Sequence, residues 1–233
     1  MFDLYIANKN YSSWSLRPWV LMTALEIPFN ERLMPFEGGS GASHDTFLRF
    51  SPSGLVPCLV EVNGDVEEAV WDSLAIIEYL AESHAGVWPK ARSTRAWARS
   101  ACAEMHSGFT ALRQACPMNC GVRVRLASLP EALKCDLSRL DALWQQGLER
   151  FDGPYLAGRA FGAVDAFFAP VAFRVQTFDL PLSDTSRDYV ERLLQVPALQ
   201  ARYEQALAEP WREESHERDT LKNAMLLRDL RTG

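Results

Sequence analysis

Val56-Pro57-Cys58-Leu59-Val60-Glu61-Val62-Asn63-Gly64-Asp65-Val66-Glu67-Glu68-Ala69-Val70-Trp71-Asp72-Ser73 carries the decisive pattern of this sequence. Two runs suited to strands flank Asn63-Gly64, a dipeptide that tolerates positive φ at the centre of a tight turn, so the stretch predicts an antiparallel hairpin. Pro57 is compatible with this because it stands at the strand entrance, outside the hydrogen-bond ladder. Asp72-Ser73 then opens a helix over Ser73–Ser83, since either side chain can accept from the orphan N–H groups of a first turn.

Upstream, Phe2–Ala7 reads as a strand, Leu16–Leu25 as an apolar helix with Pro18 in its first turn, and Phe29–Met34 as a second strand parallel to the first. Such a βαβ unit has a right-handed crossover. Pro35–Ser43, rich in Gly and Ser, reads as a mobile loop, and a short segment, Asp45–Phe50, follows it. The order βαβ then ββα gives a four-stranded sheet of thioredoxin-like topology over residues 1–84.

Residues 85–92, with Gly86 and Pro89, form the linker. Beyond it the strand signals fade. Helices are expected at Ser93–Cys116, Glu131–Phe151, Val164–Phe178, Ser186–Gln195 and Pro197–Ala208, making residues 93–233 an all-helical domain. The charged stretch Glu213–Gly233 reads as a helix or tail. The fold class is therefore α/β followed by all-α.

The whole chain has 233 residues, 24 Lys and Arg against 30 Asp and Glu, and a formal charge of −6. That balance argues against nucleic acid as a partner. No apolar run reaches the roughly 18–20 residues of a membrane helix. The start of the sequence lacks the basic and apolar regions of a secretory signal, so a cytoplasmic location is expected. Five cysteines, Cys58, Cys102, Cys116, Cys120 and Cys135, show neither disulfide-framework nor zinc spacing and read as free thiols. His216 stands among Glu213, Glu214 and Glu217, which reads as a solvated acidic tail, and no metal site is expected.

Three places carry chemistry. Tyr11-Ser12-Ser13-Trp14-Ser15 lies where a strand hands over to a helix N-terminus, whose N–H groups and partial positive charge favour an anion. Ser15 is the expected cap, with Ser12 or Ser13 further out toward a ligand. A cis Val56–Pro57 bond would turn the Val56 backbone to the same edge. At the third, Asp72 suits an ammonium while Ser73 and nearby N–H groups suit a carboxylate; capping is the competing role.

These residues, Ser12-Ser13-Trp14-Ser15 with Arg17, Ser51-Pro52-x-Gly54-x-Val56-Pro57-Cys58-Leu59 and Asp72-Ser73-Leu74-Ala75-Ile76-Ile77-Glu78-Tyr79-Leu80, resemble the cytosolic glutathione transferases, bacterial members among them. The serine cluster is similar to the zeta class, with Trp14 in place of its cysteine. Ala103-Glu104-Met105-His106-Ser107-Gly108-Phe109 resembles the start of the beta-class fourth helix. Gly158-x-x-x-Gly162-x-x-Asp165 with Pro170 resembles the family's folding motif, Gly162 replacing the usual hydroxyl cap.

The resemblance implies that glutathione is the co-substrate, with no metal, and that Ser12, ahead of Ser13, stabilises its thiolate. It puts Ser15, Val56, Pro57, Asp72, Ser73 and His106 at the glutathione site. Trp14, Met105, Phe109, Arg113 and Asn119 are the candidates for the second-substrate pocket. Arg113 lies seven residues after His106, on the same helical face. It meets an acidic electrophile there or stands as an ordinary solvated or salt-bridged arginine.

The implied activity is transfer of the glutathione thiolate to a small hydrophobic or acidic electrophile, in detoxification, by a homodimer. The first alternative is a glutathione-dependent cis-trans isomerase of the maleylacetoacetate type, with Arg17 and Arg113 reading carboxylates. The second is a non-catalytic binder of glutathione or of a protein. A free thiol titrates near 8.5, and lowering that by about two units needs roughly 2.7 kcal/mol of thiolate stabilisation.

Overall fold

The computed structural model describes residues 1–38, 42–64 and 66–232. Residues 39–41 of the expected loop, Asp65 of the expected hairpin and Gly233 lie outside the described residues.

The first half is built as β1 (Phe2–Ile6), α1 (Ser13–Ala24), β2 (Phe29–Leu33), α2 (His44–Phe47), β3 (Cys58–Asn63), β4 (Val66–Trp71) and α3 (Ser73–Ser83). The sheet order is β2-β1-β3-β4. β1 pairs parallel with β2 and antiparallel with β3, and β3 pairs antiparallel with β4 from Cys58↔Trp71 to Asn63↔Val66. This is the thioredoxin-like mixed sheet. Gly64 takes φ +64°, the conformation the hairpin turn demands. Leu4, Ile6, Leu16, Leu59, Ile76 and Leu80, all fully buried, join the sheet to α1 and α3.

α1 starts earlier than expected. The Asn8 carbonyl accepts from both Tyr11 N–H and Ser12 N–H, winding the chain into the helix before Ser13. Pro18 is therefore the sixth helical residue, past the first turn, where its missing N–H leaves the Trp14 carbonyl without its i+4 donor.

The second half is mostly helical. α4 (Arg92–Ser107), α5 (Thr110–Ala115), α6 (Glu131–Arg150), α7 (Ala163–Phe178), α8 (Asp184–Leu194), α9 (Pro197–Ala208) and α10 (Glu214–Leu221) are joined by two strands, β5 (Val122–Leu126) and β6 (Ala224–Asp229). The single helix expected over Ser93–Cys116 is broken at Gly108 and at Phe109, which sits in the left-handed region at φ +51°.

The all-helical expectation also needs correction. β5 and β6 pair antiparallel as a second sheet, so the charged end of the chain is a helix followed by a strand. Its residues Met225, Leu226 and Leu227 are exposed, which hid the strand from a pattern search for buried alternation. α7 is buried along nearly its whole length and packs against α1, α4 and α8, so it is the central element of the core. Asp165 on its first turn accepts from Gly162 N–H at 3.0 Å, half of a capping box that survives without a hydroxyl at Gly162. The five cysteines are free, and all but Cys135 are buried.

Candidate active site

The Asn8–Ser12 loop that leads into α1 is held by residues far along the chain. Glu209 accepts from Lys9 N–H at 2.6 Å and Asn10 N–H at 3.1 Å. Asn10 pairs with Asn119 at 2.9 Å and accepts from Gly121 N–H at 2.8 Å. Tyr11 donates to Glu217 at 2.5 Å, and Arg231 binds both Glu217 and the Tyr11 oxygen. His216, expected in a solvated tail, stacks on Tyr11 and on Phe36, each at 5.0 Å, and contacts Glu213 at 2.5 Å. Among the described residues no cluster of His, Cys, Asp or Glu is arranged to hold a metal.

The three serines have different surroundings. Ser12, not Ser15, occupies the N-cap position of α1, and its side chain makes no capping bond. Its hydroxyl donates to Ser15 Oγ at 2.8 Å instead. Ser15 is fully buried within the first turn and also accepts from Ala7 N–H at 3.3 Å. Ser13, half-buried, accepts from Arg174 Nη2 at 3.3 Å, and no acceptor takes its own proton among the described contacts.

The Val56–Pro57 bond is cis. Because the β3 ladder begins at Cys58, the half-buried Val56 lies outside the sheet's pairing. Asp72 has φ +74° and caps α3, its Oδ1 accepting from Leu74 N–H at 2.8 Å. Its Oδ2 lies 3.4 Å from His106 Nε2. Ser73 is fully buried and accepts from Arg17 Nη1 at 3.2 Å.

Trp14 ties these pieces together. The Arg17 guanidinium lies 4.1 Å from its ring centre and 4.6 Å from that of Phe167. Arg113 lies 5.4 Å from the Trp14 ring, and the His106 ring meets it edge-on at 5.2 Å. Arg113 donates from Nη1 to the His106 carbonyl at 3.1 Å, and Arg174 donates from Nε to the Cys116 carbonyl at 2.8 Å.

Three guanidiniums thus surround Ser13 and Trp14, and none forms an ion pair among the described residues. Burial, with the neighbouring Arg174 and Arg113, pushes Arg17 down to about 9. Burial pushes Arg174 down to about 10. His106 is held below its ordinary value by burial and by the two arginines, against the pull of Asp72, so the neutral ring dominates at pH 7. The site is electropositive, with Asp72 as its carboxylate.

The structure brings Ser13, Trp14, Asp72, Ser73, His106 and Arg113 together and adds Arg174, which the sequence reading did not single out. The available signal was the one basic residue in the largely apolar helix Ala163–Phe178. Met105 is fully buried in the core and Phe109 nearly so, at the helix break. Asn119, also fully buried, engages Asn10, Glu217 and Thr220. Met105 and Asn119 therefore serve packing and loop order. A surface cavity of about 520 Å³, lined by Phe36 and residues between Trp211 and Arg218, lies apart from the cluster.

Residues 11–83 match the family model for the glutathione S-transferase N-terminal domain. Among solved structures, a glutathione transferase from Methylococcus capsulatus is 25% identical, with 88% of this chain and 98% of that one covered and a TM-score of 0.63. A glutathione transferase homologue from Burkholderia (strain BGR1), solved with bound glutathione, is 21% identical, with 88% and 97% covered and a TM-score of 0.64. One from Lodderomyces elongisporus, with two glutathiones per subunit, is 16% identical, with 87% and 97% covered and a TM-score of 0.65. No curated protein matches the chain. The match to the family model covers the N-terminal domain, and the chain shares the fold of these solved glutathione transferases over most of its length.

Proposed function

We propose that this protein binds glutathione along the edge formed by Ser13, Val56 and Asp72-Ser73 and transfers its thiolate to a small electrophile. The observation that carries the reading is the Arg174–Ser13 contact at a helix N-terminus. A hydroxyl that accepts from a guanidinium is polarised, and its own proton points to whatever anion sits at the start of α1. Ser13 suits this role better than Ser12, whose proton is directed to Ser15.

Asp72 would take the γ-glutamyl ammonium through the oxygen nearest His106, with its other oxygen retained as the α3 cap. Ser73 and the first-turn N–H groups of α3 would take the carboxylate, with Arg17 adding charge behind Ser73. Val56 would pair its backbone with the cysteinyl residue as an added strand does. A hydrogen bond to an ionised group contributes about 1.5–3 kcal/mol, the order needed to bring a thiol from near 8.5 to neutral pH. The sulfur then attacks the electrophile, forming the carbon–sulfur bond.

The two bound-glutathione neighbours support the co-substrate. A symmetric homodimer in the cytoplasm, acting in detoxification, is part of the same reading. Calorimetric titration with glutathione followed by product analysis tests it. A stable thioether supports transfer, and regenerated glutathione with an isomerised diacid supports the isomerase alternative. Binding without turnover across electrophiles leaves a binder, and no binding overturns the proposal.

A further inference from the structure

We propose that the second substrate carries a carboxylate, and that Arg113 is the residue that binds it beside Trp14. The inference rests on the transferase reading and deepens it from any electrophile to an anionic one.

The argument is one of charge balance. Arg17, Arg113 and Arg174 meet around Ser13 and Trp14, all with depressed affinity for their protons because of burial. Arg17 is 2% exposed, and its buried Nε has no hydrogen-bond partner. Bringing like charges together out of water costs several kcal/mol per ion unless counter-charges join them. Asp72 acts favourably on Arg17, and Asp136 on Arg113, but neither comes within ion-pair distance of a guanidinium. Asp136 is held by Leu112 N–H at 2.9 Å.

Glutathione brings anions to two of the three positions. Its γ-glutamyl carboxylate at Ser73 reaches the environment of Arg17, and its thiolate at Ser13 that of Arg174. Arg113 is left over. Its Nη1 is fixed by the His106 carbonyl, while His106 itself stands 3.4 Å from Asp72, at the γ-glutamyl end. The glycine carboxylate lies at the other end of a tripeptide roughly 10 Å long when extended, so it does not serve Arg113.

Arg113 is therefore neither salt-bridged nor simply solvated. It is half-buried on α5, at the helix C-terminus, braced by a carbonyl and set 5.4 Å from an aromatic ring. A guanidinium held in this way is a ready fork for a carboxylate whose apolar body rests against Trp14.

The matched probes are 4-chloro-3,5-dinitrobenzoate and its primary amide. In each, the glutathione sulfur bonds to the ring carbon bearing chlorine, the carbon–chlorine bond then breaks, chloride leaves, and the thiol proton goes to solvent. Each kcat/KM is divided by that probe's uncatalysed rate constant with glutathione, because the amide activates the ring more than the carboxylate does. Wild type is then expected to show a value at least ~10-fold higher for the benzoate than for the amide, as one charge-assisted contact warrants. Arg113→Gln should bring that ratio close to one, and Arg113→Lys should restore part of it.

The same pair without chlorine, 3,5-dinitrobenzoate and its amide, is titrated calorimetrically with and without S-methylglutathione. Preferential binding of the benzoate that vanishes in Arg113→Gln supports the proposal even if no turnover is found, which would count against the transferase reading alone. Equal binding, and equal rates relative to the uncatalysed reactions, for acid and amide in wild type overturn it. So does an Arg113→Gln variant that weakens S-methylglutathione while leaving the benzoate preference intact.

Discussion

Arg174 Nη2 donates to Ser13 Oγ at 3.3 Å across 161 positions of sequence, joining the central helix of the second half to the first turn of α1. Ser12, one residue earlier, has no such support and donates inward to Ser15. Neighbouring hydroxyls are thereby given different work. Ser13→Ala should lower kcat about 10- to 100-fold with glutathione affinity changed far less, since the lost contact is to a developing charge. Ser12→Ala should change kcat by less than about threefold. Steady-state kinetics on the two variants decides between the serines, and the reverse pattern would return the role to Ser12.

Arg174→Gln removes the charge behind Ser13. The thiol of bound glutathione should then titrate about one unit higher, equivalent to about 1.4 kcal/mol, and Arg174→Lys should recover part of the difference. Thiolate absorbance followed against pH measures this directly. An unchanged midpoint would make Arg174 purely a packing residue.

Asp72 caps α3 and, in the proposed site, takes the γ-glutamyl ammonium. Asp72→Asn keeps an acceptor for Leu74 N–H, so stability should fall by well under about 1 kcal/mol. Glutathione affinity should nevertheless drop roughly tenfold or more, because an ion pair at the ammonium is lost. Calorimetry alongside thermal unfolding separates the two effects.

His106 should titrate below 6.5, because burial and the two arginines outweigh Asp72. The unfolded chain then binds more protons between the folded midpoint and 6.5. This contribution to stability is complete above 6.5 and is lost as pH falls through the folded midpoint. His106→Gln should flatten that part of the stability–pH curve. Histidine ring NMR should show the wild-type midpoint moving up in Arg113→Gln; a midpoint at or above 6.5 would contradict the electropositive description of the site.

Arg231 has a side chain only 4% exposed and binds Glu217 and Asp229 together. Burial alone would raise Glu217, but Arg231 and Tyr11 more than offset it and hold that carboxylate low. Arg231→Ala should cost about 2–3 kcal/mol, below the full value for a buried pair because Asp229 is partly exposed. Chemical denaturation measures the loss, and a change under about 0.5 kcal/mol would mean the network adds little.

The thioredoxin-like half was legible because its signals are local. Asn63-Gly64, the alternation of Cys58–Val62 and the Asp72-Ser73 helix start each determine their own neighbourhood. Resemblance then supplied Ser13, Val56 and Ser73 as candidates for a single site. Less legible were features that depend on distant partners. Ser15 was expected to cap α1, but the Asn8 carbonyl starts the helix earlier and buries it. The β5–β6 pair joins segments about a hundred residues apart, and β6 is mostly exposed, so neither proximity nor pattern revealed it. Arg174 looked like a lone arginine in a largely apolar helix until α1 supplied Ser13.

The grip on the Asn8–Ser12 loop has a consequence for biosynthesis. Its holders are Asn119, Gly121, Glu209, Glu217 and Arg231, the last of them emerging from the ribosome some two hundred residues after the loop itself. The pairing of the β1–β4 sheet draws only on residues up to Trp71, but the loop at its edge has its full set of partners only once Arg231 has left the ribosome. A nascent chain stalled after α3 would carry all four strands of that sheet and none of the loop's distant holders.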